Sequence, residues 1–176
     1  MIPVFIGIYY FDNATITLHY KHIFSSVLFA FAAATDWLDG YLARSLNQVS
    51  AFGAFLDPVA DKLMVAAALI VLVNLTYIGT LVAFIIIGRE IAISALREWM
   101  AQLGSSKSIA VSFLGKVKTT FQMVSILLLL FHEPILGLPT HEIGTTLIYL
   151  AAILTLWSMV YYLIRAMPQI QKKTSE

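Results

Sequence analysis

A chain of 176 residues, 60% of them hydrophobic and only 12% charged, departs from soluble domains, which average about 45–50% apolar and about 25% charged residues. Its mean hydropathy of +0.85 marks an integral membrane protein, and a formal net charge of +1 excludes the basic footprint of a nucleic-acid binder. The absence of cysteine removes disulfides and thiol catalysis. At about 20 residues per crossing there is room for about six helical spans and short loops, so the expectation is an all-α, polytopic membrane helix bundle forming a single domain over residues 1–176.

The first apolar run, residues 2–10, is too short to cross a bilayer: about nine helical residues rise about 14 Å against a hydrocarbon core of about 30 Å. Either it is a partial or interfacial helix, or its helix begins further upstream. Residues 11–15 read as a loop. A second segment over 23–45 carries Asp36, Asp39 and Arg44 towards its end. After a polar break at 47–50, a third segment over 51–74 carries Asp57 and Asp61 near its start. So short a connection predicts an antiparallel helical hairpin with the acids of both helices at similar depth.

The fourth segment, 77–103, has an apolar first half and carries Arg89, Glu90, Arg97 and Glu98 later. The fifth, 109–131, has Lys116 and Lys118 in its early turns. A loop over 132–142 contains two prolines and lacks Lys and Arg; its His132 and His141 read as ordinary surface histidines. The sixth segment, 143–167, is uncharged until Arg165 and leads to a polar tail from Pro168. Trp157 and Tyr161 or Tyr162 read as lipid-facing or interfacial aromatics.

Lys and Arg fall unequally on the two sides. Arg44, Arg97, Lys107, Lys116, Lys118, Arg165, Lys172 and Lys173 share one side, opposed chiefly by Lys21. The positive-inside rule makes the first side cytoplasmic. The acids, the arginines of segment four and the lysines of segment five all lie towards it.

Four carboxylates within 36–61 are costly at membrane depth unless a cation, water or a partner lies close. Asp36 and Asp39 are about 300° apart round a helix and Asp57 and Asp61 about 400°, so each pair shares one face. Two such pairs on facing helices make an all-oxygen pocket suited to Mg²⁺ or Mn²⁺ over zinc or copper. It could hold two metals about 3.5–4 Å apart, the arrangement used for displacement at phosphorus. Gly40, Ala43 and Gly53 let backbones or a ligand approach, and Arg44 offers a fixed fork for a phosphate. For Gly53 plain helix packing is an equal alternative, and for Arg44 an interfacial anchor.

The stretch reads D-x2-D-G-x2-A-R-x8-G-x3-D-x3-D from Asp36 to Asp61. This resembles the signature of the CDP-alcohol phosphatidyltransferases, integral membrane enzymes of phospholipid synthesis. The flanking Gly88-Arg89-Glu90, the run at 94–100 and Gly115-Lys116-Val117-Lys118-Thr119-Thr120 resemble bacterial members that use glycerol 3-phosphate as acceptor. The resemblance extends over about residues 23–166. It implies attack of the acceptor hydroxyl on CDP-diacylglycerol with release of CMP. Asp36, Asp39, Asp57 and Asp61 would ligate the metals, Asp61 would also act as base, and Gly40, Arg44 and Gly53 would face the donor. Arg89, Arg97, Lys116 and Lys118 would receive the acceptor phosphate. It further implies a homodimer in the bacterial inner membrane with a cytoplasm-facing active site, and an amphipathic N-terminal helix that would precede Ile2 and Pro3.

Helical spacing refines the basic cluster. Arg89 and Arg97 lie about 80° apart and can share a cavity, whereas Lys116 and Lys118 lie about 200° apart, so one of the two is expected to point inward. Interfacial charges are the competing reading for Arg89 with Glu90 and Arg97 with Glu98. The basic cluster favours a phosphorylated acceptor over serine; inositol phosphate or phosphatidylglycerol remain alternatives within the family. A divalent-cation channel or transporter would need acids near the midplane and a polar path to both faces, whereas the polar residues here lie towards one.

Overall fold

Long apolar runs rich in Leu, Ile and Ala favour helix, and in lipid a helix satisfies its own backbone. The computed structural model of the protein describes residues 1–11, 16–45, 51–102, 113–135 and 137–174. Side chains are described within these except at 37, 40, 41, 43, 44, 51, 52, 54–58, 97, 101, 102, 113–116 and 165–174. The described residues form six helices: α1 (Ile2–Tyr10), α2 (Leu18–Ser45), α3 (Ala51–Asn74), α4 (Thr80–Gln102), α5 (Phe113–Phe131) and α6 (Thr140–Thr174). Among them the only extended pairing is an isolated bridge between Ile135 and Leu138.

The all-α expectation holds, with differences at the ends. The sixth helix starts three residues earlier than its apolar run and continues through Pro168 to Thr174, where the sequence predicts a tail. Gln169, Gln171, Lys172 and Lys173 are all good helix formers and carry the helix past the proline. Pro58 likewise sits inside α3. Lacking an N–H, it leaves the Ala54 carbonyl without its usual intrahelical donor, about one turn from Asp57 and about two from Asp61.

Helix α5 packs along α6, α4 against α6, α2 against α5, and α1 against α2 and α3. The short α1 is pinned by burial of Phe5 against Phe29 and by a 2.7 Å hydrogen bond between the Tyr9 and Ser25 hydroxyls. The core gathers Ala67, Ala68, Leu69 and Leu72 of α3, Ile86 of α4, Ile126, Leu129 and Leu130 of α5, and Ile148 and Ala152 of α6. Small residues matter here because lipid gives helices little hydrophobic reason to associate, so close contact must supply the attraction. At Gly144 a β-carbon would lie 2.9 Å from Leu129 Cγ, and the Ser125 hydroxyl donates to the Gly144 carbonyl at 2.7 Å. Those two contacts bring α5 and α6 to close range.

Outside the core the pattern inverts that of a soluble protein. Phe24, Val27 and Phe31 of α2, Leu81 and Phe84 of α4, and Ile153, Trp157, Val160 and Ile164 of α6 all point outward. Trp157 and Tyr161 are exposed as expected of lipid-facing aromatics, whereas Tyr162 is buried. By length and composition, Thr140–Ile164 can cross a membrane, with a mean hydropathy of 2.0 over an 18-residue window within it.

One end of the bundle differs from the surface loop expected there. Helix α3 ends in a paired-bond cap: Tyr77 N–H donates to the Leu72 carbonyl and Thr76 N–H to Val73, with Thr76 at φ 62°. Helix α5 ends with His132 at φ 59°, its N–H donating to the Leu128 carbonyl. The two caps aim Tyr77 and His132 at each other, and their rings stack at 4.0 Å. His22 bonds the Tyr77 hydroxyl through Nε2 at 3.0 Å, and His141 packs edge-on against His132 at 4.8 Å. His19 pairs with Glu133. The chain's four histidines thus collect at one end, and His132 and His141 are half-buried in a ring cluster, a correction to their reading as surface groups. Burial, and then the neighbouring His141, hold the His132 imidazole below the usual histidine range, against the opposing pull of Glu133 and Glu142.

Candidate active site

The acid-bearing turns of α2 and α3 are largely apolar helix, and Asp36, Asp39 and Asp61 stay exposed on them. Asp36 and Asp39 of α2 and Asp61 of α3 line one cavity of about 660 Å³. Its wall also includes Met1, Ile2 and Pro3 of the N-terminal turn, Lys62 and Met64 of α3, Glu90 of α4, and Thr119, Gln122 and Met123 of α5. The hairpin geometry expected from the short α2–α3 connection therefore brings three of the four acids to one space. The side chain of Asp57 lies outside the described residues, as do those of Gly40, Arg44, Arg97 and Lys116. Gly53 is partly exposed in the first turn of α3.

Behind the cavity stands a buried charge cluster. Arg89 of α4 and Lys118 of α5 are 8% and 2% exposed, while Glu90 between them is 27% exposed and faces the cavity. Arg89 Nη1 donates to Glu90 Oε1 at 2.6 Å and Lys118 Nζ donates to the same oxygen at 2.9 Å. Arg89 Nη2 reaches the Ser158 hydroxyl of α6 at 3.4 Å. The Nε of Arg89 and Oε1 of Gln122 are buried without a hydrogen-bond partner. Of the two lysines separated by about 200°, Lys118 is the one seen to point inward. Arg89 lies in the interior, buried against Glu90 and Ser158.

Glu90, Gln122 and Thr119 line the cavity but are not singled out by the sequence as site residues. For Glu90 the signal was present, a carboxylate beside an arginine in an apolar run, but an interfacial ion pair looks identical in sequence. Thr119 is adjacent to Lys118 and Gln122 lies four residues, one helical turn, beyond it, within the part of the chain that carries the family resemblance.

Chemically, the donor set is all oxygen on the α2–α3 wall, which suits a hard dication such as Mg²⁺. Among the described residues no group of three or more carboxylates and imidazoles is close enough together to hold an ion alone. Behind the opposite wall, a guanidinium and an ammonium within reach of one oxygen make a site for an anion. Carboxylates lining a cavity, with two cations buried behind Glu90 inside an apolar bundle, can accommodate a substrate bearing phosphate groups and fatty chains.

Comparison with known proteins agrees with that class. The profile of the CDP-alcohol phosphatidyltransferases matches residues 1–157, and the chain belongs to this family. It is 50% identical over 166 residues to the CDP-diacylglycerol–glycerol-3-phosphate 3-phosphatidyltransferase of Salmonella typhimurium, covering 93% of this chain and 86% of that protein. The protein of the same description from Shigella flexneri is 49% identical over 166 residues, with the same coverage. That from Yersinia enterocolitica is 52% identical over 143 residues, 78% of this chain and 75% of the relative.

Proposed function

We infer that the chain transfers the phosphatidyl group of CDP-diacylglycerol to glycerol 3-phosphate, giving phosphatidylglycerophosphate and CMP. The observation that carries this is identity of about half the residues, across most of both chains, to enzymes described by that reaction. The cavity fits it: Asp36, Asp39 and Asp61 on one wall, and two buried cations behind Glu90 on the other.

In this reading a hydroxyl oxygen of glycerol 3-phosphate attacks the phosphorus that bears the diacylglycerol. A new P–O bond forms, the P–O bond to CMP breaks, and the hydroxyl proton passes to the Asp61 carboxylate. Asp61 suits that role because it lines the cavity and a carboxylate near the attacking hydroxyl serves as base. Asp36, Asp39, Asp57 and Asp61 would hold Mg²⁺ or Mn²⁺, as one ion or two. Such an ion supplies charge neutralisation at the diphosphate and a lowered hydroxyl pKa. Gly40, Arg44 and Gly53 would face the CDP moiety, and Arg89, Arg97 and Lys118, with Lys116, the acceptor phosphate.

The excess of Lys and Arg on one side supports a cytoplasm-facing site in the bacterial inner membrane, and family resemblance supports a homodimer. The decisive assay follows CMP release by the purified protein with CDP-diacylglycerol, Mg²⁺ and a panel of acceptors. CMP release with glycerol 3-phosphate is expected. Turnover only with another alcohol, such as inositol phosphate, would reassign the acceptor.

A further inference from the structure

The cations at the back of the cavity already have an anion. A single oxygen, Glu90 Oε1, accepts from both Arg89 Nη1 and Lys118 Nζ. That is where an oxygen of a bound phosphate would sit to engage the same two donors. Exposure gives the order of the layers: Glu90 faces the cavity at 27% exposed, and the cations lie behind it at 8% and 2%. Arg89 and Glu90 are adjacent in α4, whereas Lys118 comes from α5, so the carboxylate bridges two helices. One further donor of Arg89, its Nε, is buried with no partner. The guanidinium therefore has hydrogen-bonding capacity that Glu90 does not use, as expected of a group built to hold more than a carboxylate.

From these observations we propose that Glu90 is the internal counter-ion of the acceptor's phosphate site. It holds Arg89 and Lys118 in place in the free enzyme and is displaced from them when phosphate binds. The proposal rests on the assignment of Arg89 and Lys118 to the acceptor. Its physical reason is charge. With Glu90 in place the three groups sum to +1, and without it to +2, beside a phosphomonoester of about −2. Two buried cations that lose the carboxylate between them destabilise the empty protein, so a carboxylate that leaves on demand reconciles a stable empty state with a more cationic bound one. The cost is competition: if the covered state is favoured about tenfold, the apparent affinity for phosphate falls about tenfold.

Glu90 is thus a positioning residue, and its signature is opposite to that of a residue binding substrate. Glu90→Gln is expected to melt at lower temperature when empty, to lower KM for glycerol 3-phosphate by about tenfold, and to gain more thermal stability from added inorganic phosphate than the unaltered protein does. Glu90→Asp, which keeps the charge but shortens the reach, is expected to move KM the same way by less. An unchanged or raised KM in whichever of these folds overturns the proposal. A separate arm tests the assignment beneath it. If Arg89→Ala leaves the acceptor KM unchanged, the acceptor site is wrongly placed. A larger phosphate-induced stabilisation in Glu90→Gln would then still show that Glu90 covers an anion site, whereas an equal one would end both ideas.

Discussion

Two polar clusters sit in this apolar bundle, and they solve the problem of polar groups among lipid-facing helices in opposite ways. At the acid end, charges are formal, three carboxylates line a cavity, and the buried Arg89 and Lys118 are held by a fourth, Glu90, that also faces the open space. At the histidine end, the groups are mostly rings that stack and share hydrogen bonds, and His132 and His141 border a smaller cavity of about 280 Å³. The first arrangement keeps formal charges available to a ligand. The second ties two helix connections together. Polar residues beside a cavity in an apolar bundle therefore do not by themselves mark an active site; formal charges at one end and packed rings at the other separate the two roles.

The comparison breaks if substitutions at both ends have the same kind of effect. Asp61→Asn should give the largest change, a loss of about 10²- to 10⁴-fold in turnover, the range of general-base catalysis. Unfolding should be little altered, as judged by CMP release alongside thermal melting in detergent. Full activity would remove Asp61 from its role as base. At the opposite end, Gly144→Val forces atoms into the 2.9 Å approach to Leu129. A destabilisation of about 1–3 kcal/mol is expected, with turnover per folded molecule unchanged. Loss of turnover without loss of stability would contradict the division of labour.

The smallest effect is a pH dependence. His132 is held below its ordinary value of about 6.5, so as pH falls past 6.5 the unfolded chain takes up a proton that the folded chain resists. Stability should therefore decrease between pH 6.5 and the lowered folded value and then level off. His22, His141, Glu133 and Glu142 are the titratable groups around the ring, with His19 paired to Glu133. His132→Asn keeps a residue that tolerates positive φ and cannot titrate, so its melting temperature should vary less between pH 7.5 and 5.5 than that of the unaltered protein.

The acid end was legible because its information is local. Spacings of three and four place Asp36 with Asp39 and Asp57 with Asp61, and a short connection makes the hairpin; both are properties of neighbouring residues. That Lys118 faces inward needed the packing of α5 against α6 and α2, and only the structure puts its ammonium beside Glu90. The histidine cluster was illegible for a similar reason. It joins His19 and His22 to His132 and His141 across more than a hundred residues, through caps at Thr76 and His132 that carry neither glycine nor asparagine, the usual markers of positive φ. The extent of α6 was missed because Pro168 looked like an ending, although its neighbours favour helix.

The stacked pair Tyr77–His132 has a consequence for how the bundle is held together. It binds the α3–α4 connection to the α5–α6 connection, at the same end as the tight Gly144 contact. Asp36, Asp39 and Asp61 line their cavity towards the other end of the same helices, so this tie fastens the bundle away from the space a ligand would occupy.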